Sequence, residues 1–269
     1  AAMPSQLQKT AQDVLAALNA GATLSQEDLY QLDLNGLDLQ NANLSRAILI
    51  RANLSRTNLS CADLSAADLR GADLTQAVLR QANLQGTCLY RVDLSGADLR
   101  EANLSDAKLQ GARYDSQTQF PEGFAYSTSG AIGPRANLNG APLNTANLRG
   151  ADLQQANLLG AYLGGADLTG ANLCGARLVQ ADLRRAILTG ALLRGARLNG
   201  ANLAGVDLRA ADFTQVEFEQ FESIAGADFT LAQGLTDEQR SRLLSQPEPQ
   251  LETIHPLTLR TTRESLTAS

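Results

Sequence analysis

The chain has 269 residues, 44% of them hydrophobic, yet it contains no Trp and only 4% aromatics, so a core of large interlocking side chains is excluded. Its 28 acidic residues against 22 Lys and Arg give a net charge of −6, which removes the overall basic footprint of a nucleic-acid binder. No run approaches the roughly 18 apolar residues that a membrane span needs, and no secretory signal opens the chain. A cytoplasmic protein is expected, with the periplasm or thylakoid lumen left open. The leading Ala1 and Ala2 read as a cloning or processing remnant.

The first predicted element is an N-terminal helical cap over residues 1–23. Ser5 with Gln8 reads as a capping box, Leu7, Ala11, Val14, Leu15 and Leu18 form one stripe, and Gly21 is placed to stop the helix.

From residue 24 to 114 the chain repeats. Leucine recurs every five residues at Leu34, Leu39, Leu44, Leu49, Leu54, Leu59, Leu64, Leu69 and on to Leu109, and Tyr114 closes the run. A small residue usually sits two places earlier, as at Ala42, Ala47, Ala52, Ala62, Ala67, Ala72 and Ala77. A period of five fits neither the 3.6 of a helix nor the 2.0 of a flat strand. It fits a square coil in which each pentapeptide makes one side, four make a turn, and residues twenty apart stack about 4.8 Å from each other. Leu64, Leu74, Leu153 and Leu168, with Ala62 and Ala151, are then core residues. Leu37, Thr57, Thr87, Val92 and Val206 replace the small residue and are expected to bulge a corner.

Residues 115–137 break the register, since Tyr114 and Leu138 are 24 apart. An interrupting loop is expected, in which Phe120, Phe124 and Tyr126 either pack on the coil flank or form a partner-binding element. A second block covers residues 138–230, with Leu138, Leu143, Leu148, Leu153, Leu158 and Leu163 leading to Leu208, Phe213 and Phe218. Ile224 and Phe229 lie one residue out of step. A C-terminal helical cap is predicted over 231–246, where Thr236 and Gln239 form a capping box, followed by a flexible tail over 247–269. Either cap offers a second use, pairing two copies of the chain.

The segments ANLSR, ADLSA, ADLRG, ADLTQ, ANLLG and ANLCG resemble the A(D/N)LXX signature of the pentapeptide-repeat family, cyanobacterial-type members included. The resemblance covers about residues 32–230 and implies an all-β solenoid, a right-handed quadrilateral parallel β-helix. With short α-helical caps at both ends, that is the expected fold.

Chemistry-bearing constellations are missing from the pattern. Cys61, Cys88 and Cys174 have no metal-like spacing, and the one histidine, His255, sits in the tail, where an incidental exposed side chain is expected. Asp63, Asp68, Asp73, Asp93, Asp98, Asp152, Asp167 and Asp182 repeat the same outward, turn-stabilising position and make no acid/base pair. No cofactor, metal, catalytic residue, small-molecule substrate or membrane association is expected.

The remaining reading is surface display by a non-enzymatic structural or regulatory module. Stacking at multiples of twenty brings Ile48, Ile50, Arg51, Arg70, Cys88, Tyr90, Arg91 and Lys108 onto one side of block one. In block two, neighbouring sides collect Leu159, Tyr162, Arg177, Val179, Arg184, Arg185 and Arg197. Apolar, Tyr and Arg residues mixed in this way resemble interface anchors and imply an acidic protein partner or a second copy. The alternative taken from the resembling family is imitation of duplex DNA towards DNA gyrase, which asks for negative potential along the whole length. Residues 136–210 carry seven arginines against four aspartates, whereas 211–238 carry seven acids and no base. Gyrase mimicry therefore ranks second, and weak nucleic-acid binding through block two third.

Overall fold

The computed structural model describes residues 9–268, folded as two compact units, Ala1–Ala131 and Ile132–Ser269. In unit 1 the coil begins at Leu24, whose N–H donates to Asn43 C=O, and every side contributes one residue to a parallel ladder with the residue twenty places on. Asp28 pairs with Ile48, Ile48 with Asp68, Asp68 with Cys88 and Cys88 with Lys108, and three parallel columns run on the other sides. In unit 2 the same ladder runs from Asn137–Asn157 to Asp212–Gln233.

The pentapeptide turns because of one backbone choice per side. The second residue after each leucine has a positive φ, as at Asn41 (60°), Arg51 (56°) and Gly71 (68°), and the N–H beyond it donates to the leucine carbonyl, as from Ala42 to Leu39 at 3.1 Å. Positive φ at the third position alone defines a type II turn, and repeating it every five residues makes the chain four-sided. Leu64, Leu74, Leu153 and Leu168 are fully buried, with Ala62 and Ala151 beside them. Leu143 and Ala146 differ from their neighbours in being only half-buried.

The expected corner bulges do not occur. Thr57 and Thr87 are buried because their hydroxyls donate to Leu54 C=O (2.6 Å) and Leu64 C=O (2.8 Å), so a threonine satisfies itself inside an apolar tube. The turn bonds at Leu37, Val92 and Val206 stay at 3.1–3.2 Å. The irregularities that do occur are single-residue insertions: Asp98 pairs with Gln119, Asn202 with Ser223 and Asp207 with Asp228, each 21 apart. The segment 115–137 is therefore not loop throughout, since Thr118 and Gln119 still bond to the coil below. After Phe218 the extra residue is held by Asn199 Oδ1, which accepts from the N–H groups of Glu219 and Gln220.

Helix α1 spans Ala11–Asn19. Its capping box is Thr10 with Asp13; the Ser5–Gln8 pair and Leu7 lie outside the described residues. Gly21 (φ 72°) ends it in a Schellman motif, with Gly21 N–H donating to Leu18 C=O and Ala22 N–H to Ala17 C=O. Val14 is its buried contact. At the other end α2 spans Asp237–Leu244 with the Thr236/Gln239 capping box, and Gln239 Nε2 also donates to Val216 C=O on the coil.

The tail corrects the expectation of a flexible segment over 247–269. It holds α3 (Glu248–Leu251) and α4 (Thr262–Thr267), buries Leu251 and Leu266, and ties Thr262 Oγ1 to Ile224 C=O. His255, expected to be exposed, is 2% accessible. Its Nδ1 accepts from the N–H groups of Leu257 and Thr258, so the ring closes a turn that a single Ile254–Thr261 antiparallel bridge brackets.

Candidate interaction surface

The aspartates that precede the leucines act on the backbone. In all eight positions singled out from sequence, Oδ1 accepts from the N–H two residues on, from 2.8 Å at Asp73 to 3.3 Å at Asp152. Each closes an Asx turn over its own corner. Where the next residue is arginine the carboxylate does more. In every Asp-Leu-Arg triplet (Asp68, Asp98, Asp182 and Asp207), the arginine returns Nε to Oδ1 at 2.9 Å and Nη2 to Oδ2 at 2.7 Å.

These forks hold the carboxyls of Asp68, Asp98 and Asp182 below the ordinary 3.8, the arginine side chain being the main cause. At Asp207 burial pushes upward most strongly, but the side-chain and backbone bonds from Arg209 together outweigh it and the value is again lowered. The unfolded chain recovers the ordinary value, so this stabilisation is complete above pH 3.8 and is lost as pH falls through the lower native values. The urea midpoint is expected to stay level from pH 7 to 5 and to drop below pH 4, with a smaller drop in Asp207→Asn. A midpoint unchanged between pH 5 and 3 would contradict the forks.

The geometry sorts the predicted contact residues. On unit 1, Ile50, Arg51, Arg70 and Arg91 line one groove together with Tyr30 and Gly71. Ile48 is 39% exposed beside it and Tyr90 is half-buried, its C=O accepting from Gly71 N–H at 2.9 Å. Arg70 is neutralised by Asp68, whereas Arg51 and Arg91 form no ion pair among the described residues. Phe120 and Phe124 are drawn away from this face. Phe120 meets the buried Tyr114 edge-on at 5.3 Å, stacks on Tyr126 at 5.2 Å and lies 5.5 Å from Phe124, so the loop aromatics pack mainly on one another and on the coil.

On unit 2 the strip divides between two adjacent sides. Arg177 and Arg197 stack in one ladder column and Tyr162 and Asp182 in the next. Tyr162 is 53% exposed and Leu159 38%. Arg184 is taken by Asp182 and Arg197 reaches Glu217 at 3.4 Å, leaving Arg177 and Arg185 without an ion pair among the described residues.

A second groove was not anticipated. Val179 and Arg197 line it with Val216, Phe218, Glu219 and Gln239, where α2 lies along the coil flank. Its signal was present in the acid-only stretch 211–238 and in the capping box that sets α2 there. Tyr30, from the first coil, was likewise missed, although it stands twenty residues before Ile50.

Among the described residues no three His, Cys, Asp or Glu side chains converge as metal ligands, and no helix is long and apolar enough to cross a membrane. The cysteines are free, Cys61 exposed and Cys88 and Cys174 half-buried.

The family model described as Pentapeptide repeats matches in eight copies, over residues 28–113 and 151–215. HetL from the cyanobacterium Nostoc, a pentapeptide repeat protein involved in heterocyst differentiation regulation, is 30% identical over 84% of this chain and 98% of its own, with a TM-score of 0.34. Rfr23 from the cyanobacterium Cyanothece is 38% identical over 35% of this chain and 63% of its own (TM-score 0.25). QnrB1, a plasmid-mediated fluoroquinolone resistance protein, is 18% identical over 79% and 97% (TM-score 0.36). No curated protein sequence matches.

Proposed function

The chain belongs to the pentapeptide-repeat family, whose fold is the right-handed quadrilateral β-helix, and from that premise we propose that it is a non-enzymatic, cytoplasmic interaction module presenting a rigid face to a protein partner. One observation carries the reading: Tyr30, Ile50, Arg51 and Arg91 converge on a groove of unit 1 whose two outer arginines have no acidic partner among the described residues. Exposed Arg and Tyr over apolar side chains is the composition of interface anchors, and a corner locked by type II turns loses little entropy on docking. The leucine core, with Leu64, Leu74, Leu153 and Leu168 fully buried, supports display by a filled tube over catalysis.

Capture from native lysate by the immobilised full chain, run beside a gyrase supercoiling assay, tests this reading. A captured partner with an acidic contact surface and unaffected supercoiling is the expected outcome. Gyrase subunits as the main captured species, with supercoiling inhibited, would replace it by the DNA-mimic reading.

A further inference from the structure

Resting on that reading, we propose that the unit 1 groove receives an acidic segment in polyproline II conformation, gripped at residues i and i+3 by Arg51 and Arg91. The two arginines belong to one corner column, Gln31, Arg51, Gly71, Arg91 and Gly111, at intervals of twenty. Each is followed one coil later by glycine. A Cβ on Gly71 would stand 3.4 Å from Arg51 Cγ, and one on Gly111 would stand 3.2 Å from Arg91 Cγ. The glycines are therefore notches in which the arginine stems lie, so both side chains set out from the corner towards the next coil. Where glutamine holds the next corner it takes the arginine instead: Arg56 Nε donates to Gln76 Oε1 at 3.4 Å and Arg135 Nε to Gln155 Oε1 at 3.1 Å. Among the described residues Arg51 and Arg91 have no such partner, which leaves their donors for a ligand.

Two coils separate the pair, about 9.6 Å at ~4.8 Å per coil. A polyproline II helix has three residues per turn and rises about 3.1 Å per residue, so it returns a side chain to the same face every ~9.3 Å. An extended strand does so at about 6.8 and about 13.6 Å, which misses the pair in both directions. Carboxylates at i and i+3 would each take a charge-assisted bond from one guanidinium. Tyr30 and Ile50 supply the aromatic and apolar floor on which such segments dock.

Fluorescence polarisation with the full chain tests this, using labelled peptides centred on Glu-Pro-Pro-Glu, Gln-Pro-Pro-Gln and Glu-Pro-Glu, and a helical peptide with carboxylates seven apart. The first is expected to bind about tenfold or more tighter than the others. Arg51→Ala with Arg91→Ala should abolish that preference. Gly71→Gln changes no charge, yet it should weaken binding about threefold or more by capturing Arg51 Nε. It should lower the thermal melt by no more than a few degrees, because the strain of a side chain at positive φ is one that Gln76 and Gln81 already bear at φ 57° and 59°. Equal binding of the peptides, stronger binding of the helical one, or indifference to the double arginine substitution would overturn the proposal. If the peptides fail while a captured partner still requires Tyr90 and Arg91, the interaction reading stands and the polyproline geometry falls; if both fail, both fall.

Discussion

Leu168→Ala is expected to destabilise the protein by about 2 to 5 kcal/mol. Leu168 is fully buried, its N–H donates to Ile187 C=O at 2.7 Å, and its stack neighbours Leu148 and Leu188 are buried above and below it. The coils are fixed by ladder bonds on all four sides, so the neighbouring leucines cannot collapse into the space that the missing side chain leaves. That places the cost towards the upper part of the range for a leucine truncation. Leu192→Ala provides the contrast. Leu192 is 42% exposed on an outer column, and its truncation should stay within about 0.5 kcal/mol. Urea denaturation of both variants at pH 7 measures the difference, and a Leu168 cost below that of Leu192 would contradict a core on the axis.

Removal of residues 1–23 is expected to produce association of the truncated chain beyond any shown by the parent. The first coil, from Leu24 to Asn43, donates and accepts upward to the second coil, and α1 is the element that precedes its open edge. Without α1, that edge presents unpaired backbone beside Leu24, Leu29, Leu34 and Leu39, which is the template solenoids and sheets cover to prevent end-to-end pairing. Val14→Asp, which puts a charge at the one buried position of the helix, should act in the same direction more weakly. Sedimentation velocity over a concentration series reads both. A truncated chain that sediments as the parent does would show that α1 is not a cap.

The repeat was legible because a solenoid is held together by neighbours in a fixed register. A period of five, a leucine and a small residue are enough to specify side, corner and core, and counting in twenties places Ile50, Arg51, Arg70 and Arg91 on one face. The Thr236 capping box was legible for the same reason, being a local pattern with a local bond. The tail was not. The short α3 and α4 have no periodic stripe of their own and form where Leu251, His255 and Leu266 find burial on the last coils, a tertiary effect that propensity does not carry. Thr57 and Thr87, larger than the alanine they replace, were expected to bulge a corner, whereas each hydroxyl has a carbonyl within reach. On the surface, residue identity was readable but availability was not. Arg70 and Arg184 follow the leucine of an Asp-Leu-Arg triplet and Arg51 stands one place further on at the corner, but only the fork geometry, with the glycine one coil on, shows that the first two are neutralised and the third presented.

On the proposed function, the protein displays the Tyr and Arg face of unit 1 on a scaffold that does not change. The most direct test is the affinity of the captured partner for the parent, for Tyr90→Ala combined with Arg91→Glu, and for Asp73→Ala on another side, with thermal melts recorded in the same buffer. The double substitution is expected to weaken binding about tenfold or more, with its melting temperature within a few degrees of the parent, and Asp73→Ala should bind as the parent does. Equal affinity of the double variant and the parent would contradict the claim.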